Sequence, residues 1–227
     1  MYVFDSGYIL LVLPALIFAM WAQSRVNSTF ERYSRRWAQS RKTGAEVASE
    51  LLHQAGLRDV SVERIPHTLG DHYDPRQRTL RLSPQVYDRV SVAALGVAAH
   101  EVGHAIQHDV GYMPLGVRNS LLPVAQLGSQ AAIPLFLIGF LFNFEALMTL
   151  GIFFFAGAVL FQLVTLPVEY NASARALALL ESGGYISREE VGPVREVLSA
   201  AALTYVAATA VAVAQLLRLL MLRDRRR

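Results

Sequence analysis

Val97-Ala-Ala-His-Glu-Val-Gly-His-Ala-Ile-Gln-His108 is the stretch on which the reading of this chain turns. On a helix, His100 and His104 stand on one face, about 6 Å apart along the axis, so their imidazoles can share one metal ion. Glu101 lies roughly 100° round the helix, within reach of a water on that metal. This is the H-E-x-x-H arrangement, in which two histidines hold zinc and a glutamate serves as general base. Chance alone would place it in roughly 1% of chains of this length. The bland alternative is a buried helix with two hydrogen-bonded histidines. The context speaks against it. Ser91 is placed to cap a helix beginning at Val92, and the residues that follow are apolar nearly all round. A glutamate and two histidines in a buried helix need a compensating partner, and a metal is one.

The 227-residue chain has no cysteine. That excludes a disulfide framework and a Cys-ligated metal, so the ligands must be His, Asp or Glu. Hydrophobic residues make up 53% and charged residues only 17%, lean for a soluble protein. The net charge is +3, with Arg25, Arg32, Arg35, Arg36, Arg41 and Lys42 clustered. Such a cluster can mark a nucleic-acid face. Here it directly follows an apolar run, which makes it a membrane flank, and no nucleic-acid partner is expected.

That apolar run, Gly7 to Ala22, ends beside the interfacial Trp21. No basic residue precedes it and no small-residue cleavage site follows, so it reads as an anchor extended by residues 2–6, not as a signal peptide. Leu121 to Phe142 and Leu147 to Leu166, joined by Asn143–Ala146, read as a helical hairpin through the bilayer. Ala200 to Leu222 is a fourth span, followed by a basic tail. Between the first two spans, Thr43 opens an amphipathic helix ending near Gly56, and Val60 to Ile65 alternates as a strand. Asp71 to Leu82 reads as a hairpin turning at Asp74–Gln77. The segments in order are an anchor (1–23), a metal-site domain (24–118), a membrane hairpin (119–166), a second ligand helix with its connector (167–199), an apolar helix (200–222) and the tail (223–227).

A catalytic zinc takes three protein ligands and keeps one position open. His108 repeats the four-residue spacing but lies about 12 Å from His100 along a straight helix. Ala105-Ile-Gln107 offers no glycine to bend it. Glu169 is the better candidate. It follows Leu166-Pro167-Val168, where the third span should end, and Pro167 suits the first turn of a new helix. Both ends of a hairpin lie on one side of the membrane, so Glu169 returns to the metal helix. The alternative is a helix-start carboxylate favoured by the dipole.

Four segments carry a resemblance: D-H-Y-D-P at 71–75, V-A-A-H-E-V-G-H-A-I-Q-H at 97–108, L-P-V-E-Y-N-A-S at 166–173 and A-A-L-T-Y-V-A-A at 201–208. Over nearly its whole length the chain resembles the YugP-like family of bacterial membrane-bound neutral zinc metallopeptidases. The resemblance implies a gluzincin-type metalloendopeptidase with one zinc per chain, His100, His104 and Glu169 as ligands and Glu101 as catalytic base. More remotely the chain resembles HtpX-type membrane proteases, whose second metal helix carries E-x-x-x-D. Ser173 stands where that Asp would be, leaving Asn171 and Ser173 as candidates to orient a zinc histidine. The expected fold is a mainly α membrane protein with a small α+β zincin-like catalytic unit and about four transmembrane helices.

His72, Tyr73 and Arg175 are candidates to stabilise the oxyanion of the transition state. Thr79 to Leu82 is a candidate edge strand for an extended substrate. Three competing readings remain. An intramembrane protease would use Val90 to Gln107 as a span. A non-catalytic zinc scaffold or sensor would have no need of Glu101. A transporter would need a matched buried acid pair, which the spans lack. The expected partners are the lipid bilayer and protein or peptide substrates near it. The expected location is the cell membrane, multi-pass. The positive-inside rule puts the N-terminus outside and residues 24–118 in the cytoplasm. Four spans would then leave the basic tail outside, against the same rule.

Overall fold

A computed structural model describes residues 5–67 and 70–225. Residues 1–4 of the expected anchor and Arg226 and Arg227 of the tail lie outside the described residues. A π-helical turn, Tyr8–Val12, leads into α1 (Leu13–Ser34), followed by α2 (Gly44–Gln54), β1 (Ser61–Arg64), β2 (His72–Asp74), β3 (Thr79–Leu82) and α3 (Pro84–Tyr87). Then come α4 (Val92–Asp109), α5 (Met113–Leu141), α6 (Glu145–Ser182) and α7 (Arg188–Asp224). The chain divides into two compact units, one of Met1–Gln23, Met113–Pro167 and Leu203–Arg227, the other of Ser24–Tyr112 and Val168–Ala202. It is a mainly α membrane protein with a small α+β unit.

In the first unit the apolar helices pack through small residues. A Cβ on Gly128 would sit 2.5 Å from the Phe154 carbonyl, and one on Gly151 would sit 2.7 Å from that of Ala132. Only glycine lets α5 and α6 approach so closely, as is common between membrane helices. Phe136, Met148, Ile152 and Leu219 form its core, while Ile17, Trp21, Leu141 and Phe153 are exposed. Among the described residues, four segments are long and apolar enough to cross a membrane: Tyr8–Ser34, Met113–Leu141, Glu145–Ser182 and Arg188–Asp224. Asp5 accepts a hydrogen bond from Arg218 at 2.8 Å, pairing the two charges inside this unit.

The second unit wraps a three-stranded sheet, in the order β1-β3-β2, with α2, α3 and α4. β1 runs parallel to β3 and β2 antiparallel to it. Thr43 caps α2 in a full capping box with Glu46, and the Ser91 side chain accepts the Ala94 N–H at the start of α4. Asp74 turns the β2–β3 connection by accepting the Arg76 and Gln77 N–H groups. Leu51, Leu80, Leu82, Leu95, Ala176 and Leu180 are fully buried in one core.

Three expectations are corrected. No helix begins at Pro167: α6 runs through it without a break, and Glu169 is a mid-helix residue. A proline removes one backbone bond, a loss that apolar helices tolerate when neighbouring groups compensate. The expected connector shrinks to the turn at 183–187, because α7 begins at Arg188, well before Ala200. Its first turns look polar in sequence, yet Val194, Val197 and Leu198 are buried. Finally, β3 is the central strand of the sheet and not an edge, since β1 pairs with it across a sequence gap. The edges are β1 and β2. As for the intramembrane alternative, α4 is not among the four candidate spans, and it packs on α2, α3, β2 and β3.

Candidate metal centre

α4 presents His100 and His104 on one face, and α6 brings Glu169 against them. A glycine makes that approach feasible. A Cβ on Gly103 would lie 2.7 Å from the Ala172 carbonyl oxygen and 3.2 Å from its Cα, so the backbones of α4 and α6 meet where Gly103 has no side chain. Ala172 lies three residues beyond Glu169 and is fully buried. Its close contact sets the Glu169 carboxylate beside the imidazoles.

His100 Nε2 lies 3.2 Å from Glu169 Oε2, the two Nε2 atoms are 3.1 Å apart, and His104 Nε2 is 3.5 Å from the same Oε2. The three donors form a nearly equilateral triangle. A tetrahedral ion with ligands at about 2.0–2.2 Å holds its donors roughly 3.3–3.6 Å apart. Glu169 is 2% exposed, so its carboxylate needs such company. Burial opposes the imidazolium form of His104, but the Glu169 and Glu101 carboxylates outweigh it and hold its pKa above the usual histidine value.

Each imidazole has a partner on its far nitrogen. His100 Nδ1 meets Ser173 Oγ at 3.1 Å, and His104 Nδ1 meets Gln107 Oε1 at 3.0 Å. Gln107 donates to the Val168 carbonyl at 2.8 Å and to Asn171 Oδ1 at 3.0 Å. Asn171 therefore reaches His104 only through Gln107. In the sequence Gln107 carries no signal beyond its position three residues after His104, on the same helix face.

Glu101 is 7% exposed and accepts the Tyr73 N–H at 3.0 Å. The edge strand β2 is thus tethered to it. β2 is in turn fastened by Asp71, which accepts the Ser83 N–H at 2.7 Å and the Ser83 hydroxyl at 3.1 Å. Burial raises the Asp71 pKa despite those bonds. The three expected oxyanion donors have partners elsewhere. His72 is exposed, with Nδ1 on the Gly70 carbonyl. The Tyr73 hydroxyl meets His108 Nδ1 at 3.0 Å, and burial raises that phenol's pKa. Arg175 Nε donates to Asn171 at 2.8 Å. Beside α4 opens a cleft of about 650 Å³, lined among others by Val26, Phe30, Asp71 and Val97.

Residues 8–224 match the family described as "Putative neutral zinc metallopeptidase". The chain belongs to this family. It is also 49% identical, over 95% of its length and 96% of the relative's, to the "Putative membrane protease YugP" of Bacillus subtilis (strain 168). No solved structure matches. Membership of a zinc metallopeptidase family implies zinc, and the donors present fit it: two imidazole nitrogens and one carboxylate oxygen, all within 4.8 Å of one another.

Proposed function

We propose that this family member is a membrane-bound zinc metalloendopeptidase of the gluzincin type, with one zinc per chain held by His100, His104 and Glu169. The observation that carries the reading is the donor triangle, whose sides of 3.1, 3.2 and 3.5 Å lie within about 0.2 Å of a tetrahedral zinc face. Zinc bound there would supply Lewis acidity, acidifying a water and polarising a peptide carbonyl. Glu101 is the general base. It takes the proton of the attacking water and delivers it to the departing amine. The Tyr73 N–H restrains the Glu101 carboxylate, so its reach is limited before substrate arrives. Ser173 steadies His100 directly. An extended substrate lies along β2, and the cleft beside Val97 takes one of its side chains. Val97 stands one helical turn before Glu101, which puts that side chain close to the bond being cut.

The experiment is elemental analysis of the detergent-purified chain. About one zinc is expected in the wild type and in His108→Ala, and none in Glu169→Ala. A site emptied by His108→Ala but not by Glu169→Ala would require a three-histidine centre and a different mechanism.

A further inference from the structure

Gln107 is fully buried and is not one of the three metal donors, yet every hydrogen-bonding atom of its amide is committed. The identities of those atoms follow by elimination. The Val168 carbonyl only accepts, so the Gln107 atom 2.8 Å from it is the nitrogen. Arg175 Nε only donates, so the Asn171 atom 2.8 Å from it is the oxygen. That same oxygen accepts the second Gln107 amide hydrogen at 3.0 Å. The Gln107 oxygen is left facing His104 Nδ1 at 3.0 Å. An amide oxygen only accepts, so Nδ1 carries the hydrogen, and the neutral ring keeps its lone pair on Nε2. Nε2 is the atom in the donor triangle. Flipping the Gln107 amide would set its oxygen against two other oxygens in a buried site, leaving acceptors unpaired.

His100 is held differently. Its Nδ1 meets a serine hydroxyl, which rotates to donate or accept, so nothing in that contact selects a tautomer. One histidine is locked and the other is adjustable.

We propose that Gln107 is a positioning residue that fixes His104 as an Nε2 ligand, with Asn171 and Arg175 holding the Gln107 amide in the orientation this requires. The proposal rests on the zinc reading above. It also gives Arg175 a task other than oxyanion stabilisation.

The test measures zinc affinity of the detergent-purified full chain by chelator competition, with thermal unfolding recorded alongside. Gln107→Leu removes the acceptor and is expected to weaken zinc binding by about 10–100-fold. Gln107→Glu keeps an acceptor for the Nδ1 hydrogen but turns its second oxygen toward the Val168 carbonyl and Asn171, so it should bind zinc more tightly than Gln107→Leu while staying weaker than the wild type. Arg175→Met, which only frees the amide to flip, should fall between them. In the zinc-loaded wild type with ¹⁵N-labelled histidine, the His104 Nδ1 hydrogen should be observed by NMR. A Gln107→Leu chain that unfolds earlier but binds zinc like the wild type overturns the proposal, as does a Gln107→Glu chain as weak as Gln107→Leu. If Gln107→Leu does not fold, unchanged affinity in Arg175→Met overturns it instead. A wild type that binds no zinc overturns the metallopeptidase reading itself, before any variant is compared.

Discussion

At Gly103 the separation of two helices is set by a missing methyl group. Its nearest neighbours are backbone atoms of Ala172, which cannot swing aside as a flexible side chain could. Gly103→Ala should therefore push α6 away from α4 and carry Glu169 with it. Overpacking of this kind costs about 1–3 kcal/mol, so lower thermal stability together with weakened zinc binding is expected. Normal zinc affinity would show that the helices absorb the methyl elsewhere. Glu101→Gln should leave zinc content unchanged and abolish peptide hydrolysis, and activity retained in a preparation free of other proteases would remove Glu101 as the base. Asp71 gives a pH signature. Its folded pKa is raised by burial, so its protonated form favours folding, and that contribution is lost as the pH climbs through the folded pKa. The melting temperature of the wild type, taken relative to Asp71→Asn, should fall as the pH rises above about 3.8; a constant difference would refute it. Of the candidate centre, the His100–His104 pair was legible residue by residue, because its four-residue spacing shows openly in the sequence and the structure sets both rings beside Glu169. Gln107 was not legible, since glutamine is an ordinary helix residue and only its buried partners distinguish it.

Elements were legible wherever a local signal starts or stops them. The Thr43–Glu46 capping box and the Ser91 cap are both visible in sequence and present in the structure. Thr43→Ala should cost about 1 kcal/mol of stability while leaving zinc content untouched, because α2 contributes no donor to the centre. Loss of zinc from that variant would mean that the end of α2 reaches the site through its packing on α4. Three features were hidden by non-local effects. Pro167 looks like a helix start when only its neighbours are considered, but a helix already formed by an apolar run can carry a proline through. The charged start of α7 looks like a linker until Val194, Val197 and Leu198 find the core. The parallel pairing of β1 with β3 links residues well separated in the chain, and no local pattern encodes such a register.

For the whole molecule, four crossings by α1, α5, α6 and α7 would put positions 58 and 182 on one side of the membrane and positions 142 and 224 on the other. The chain has no cysteine, so single-cysteine labelling is free of background. Arg58→Cys and Ser182→Cys should react with an impermeant reagent from the same face, and Phe142→Cys and Asp224→Cys from the opposite one. If Ser182→Cys labels together with Phe142→Cys, α6 does not cross. The separation of the donors along the chain also has a consequence in time. His100 and Glu169 stand 69 residues apart, with α5 and most of the apolar stretch of α6 encoded between them. At about 5–20 residues per second, roughly 3–14 s pass between the synthesis of the two. During that interval a newborn chain holds the histidine pair without the carboxylate. On the metallopeptidase reading, the third donor emerges only after α1, α5 and the apolar stretch of α6 have been made, with α7 still to follow.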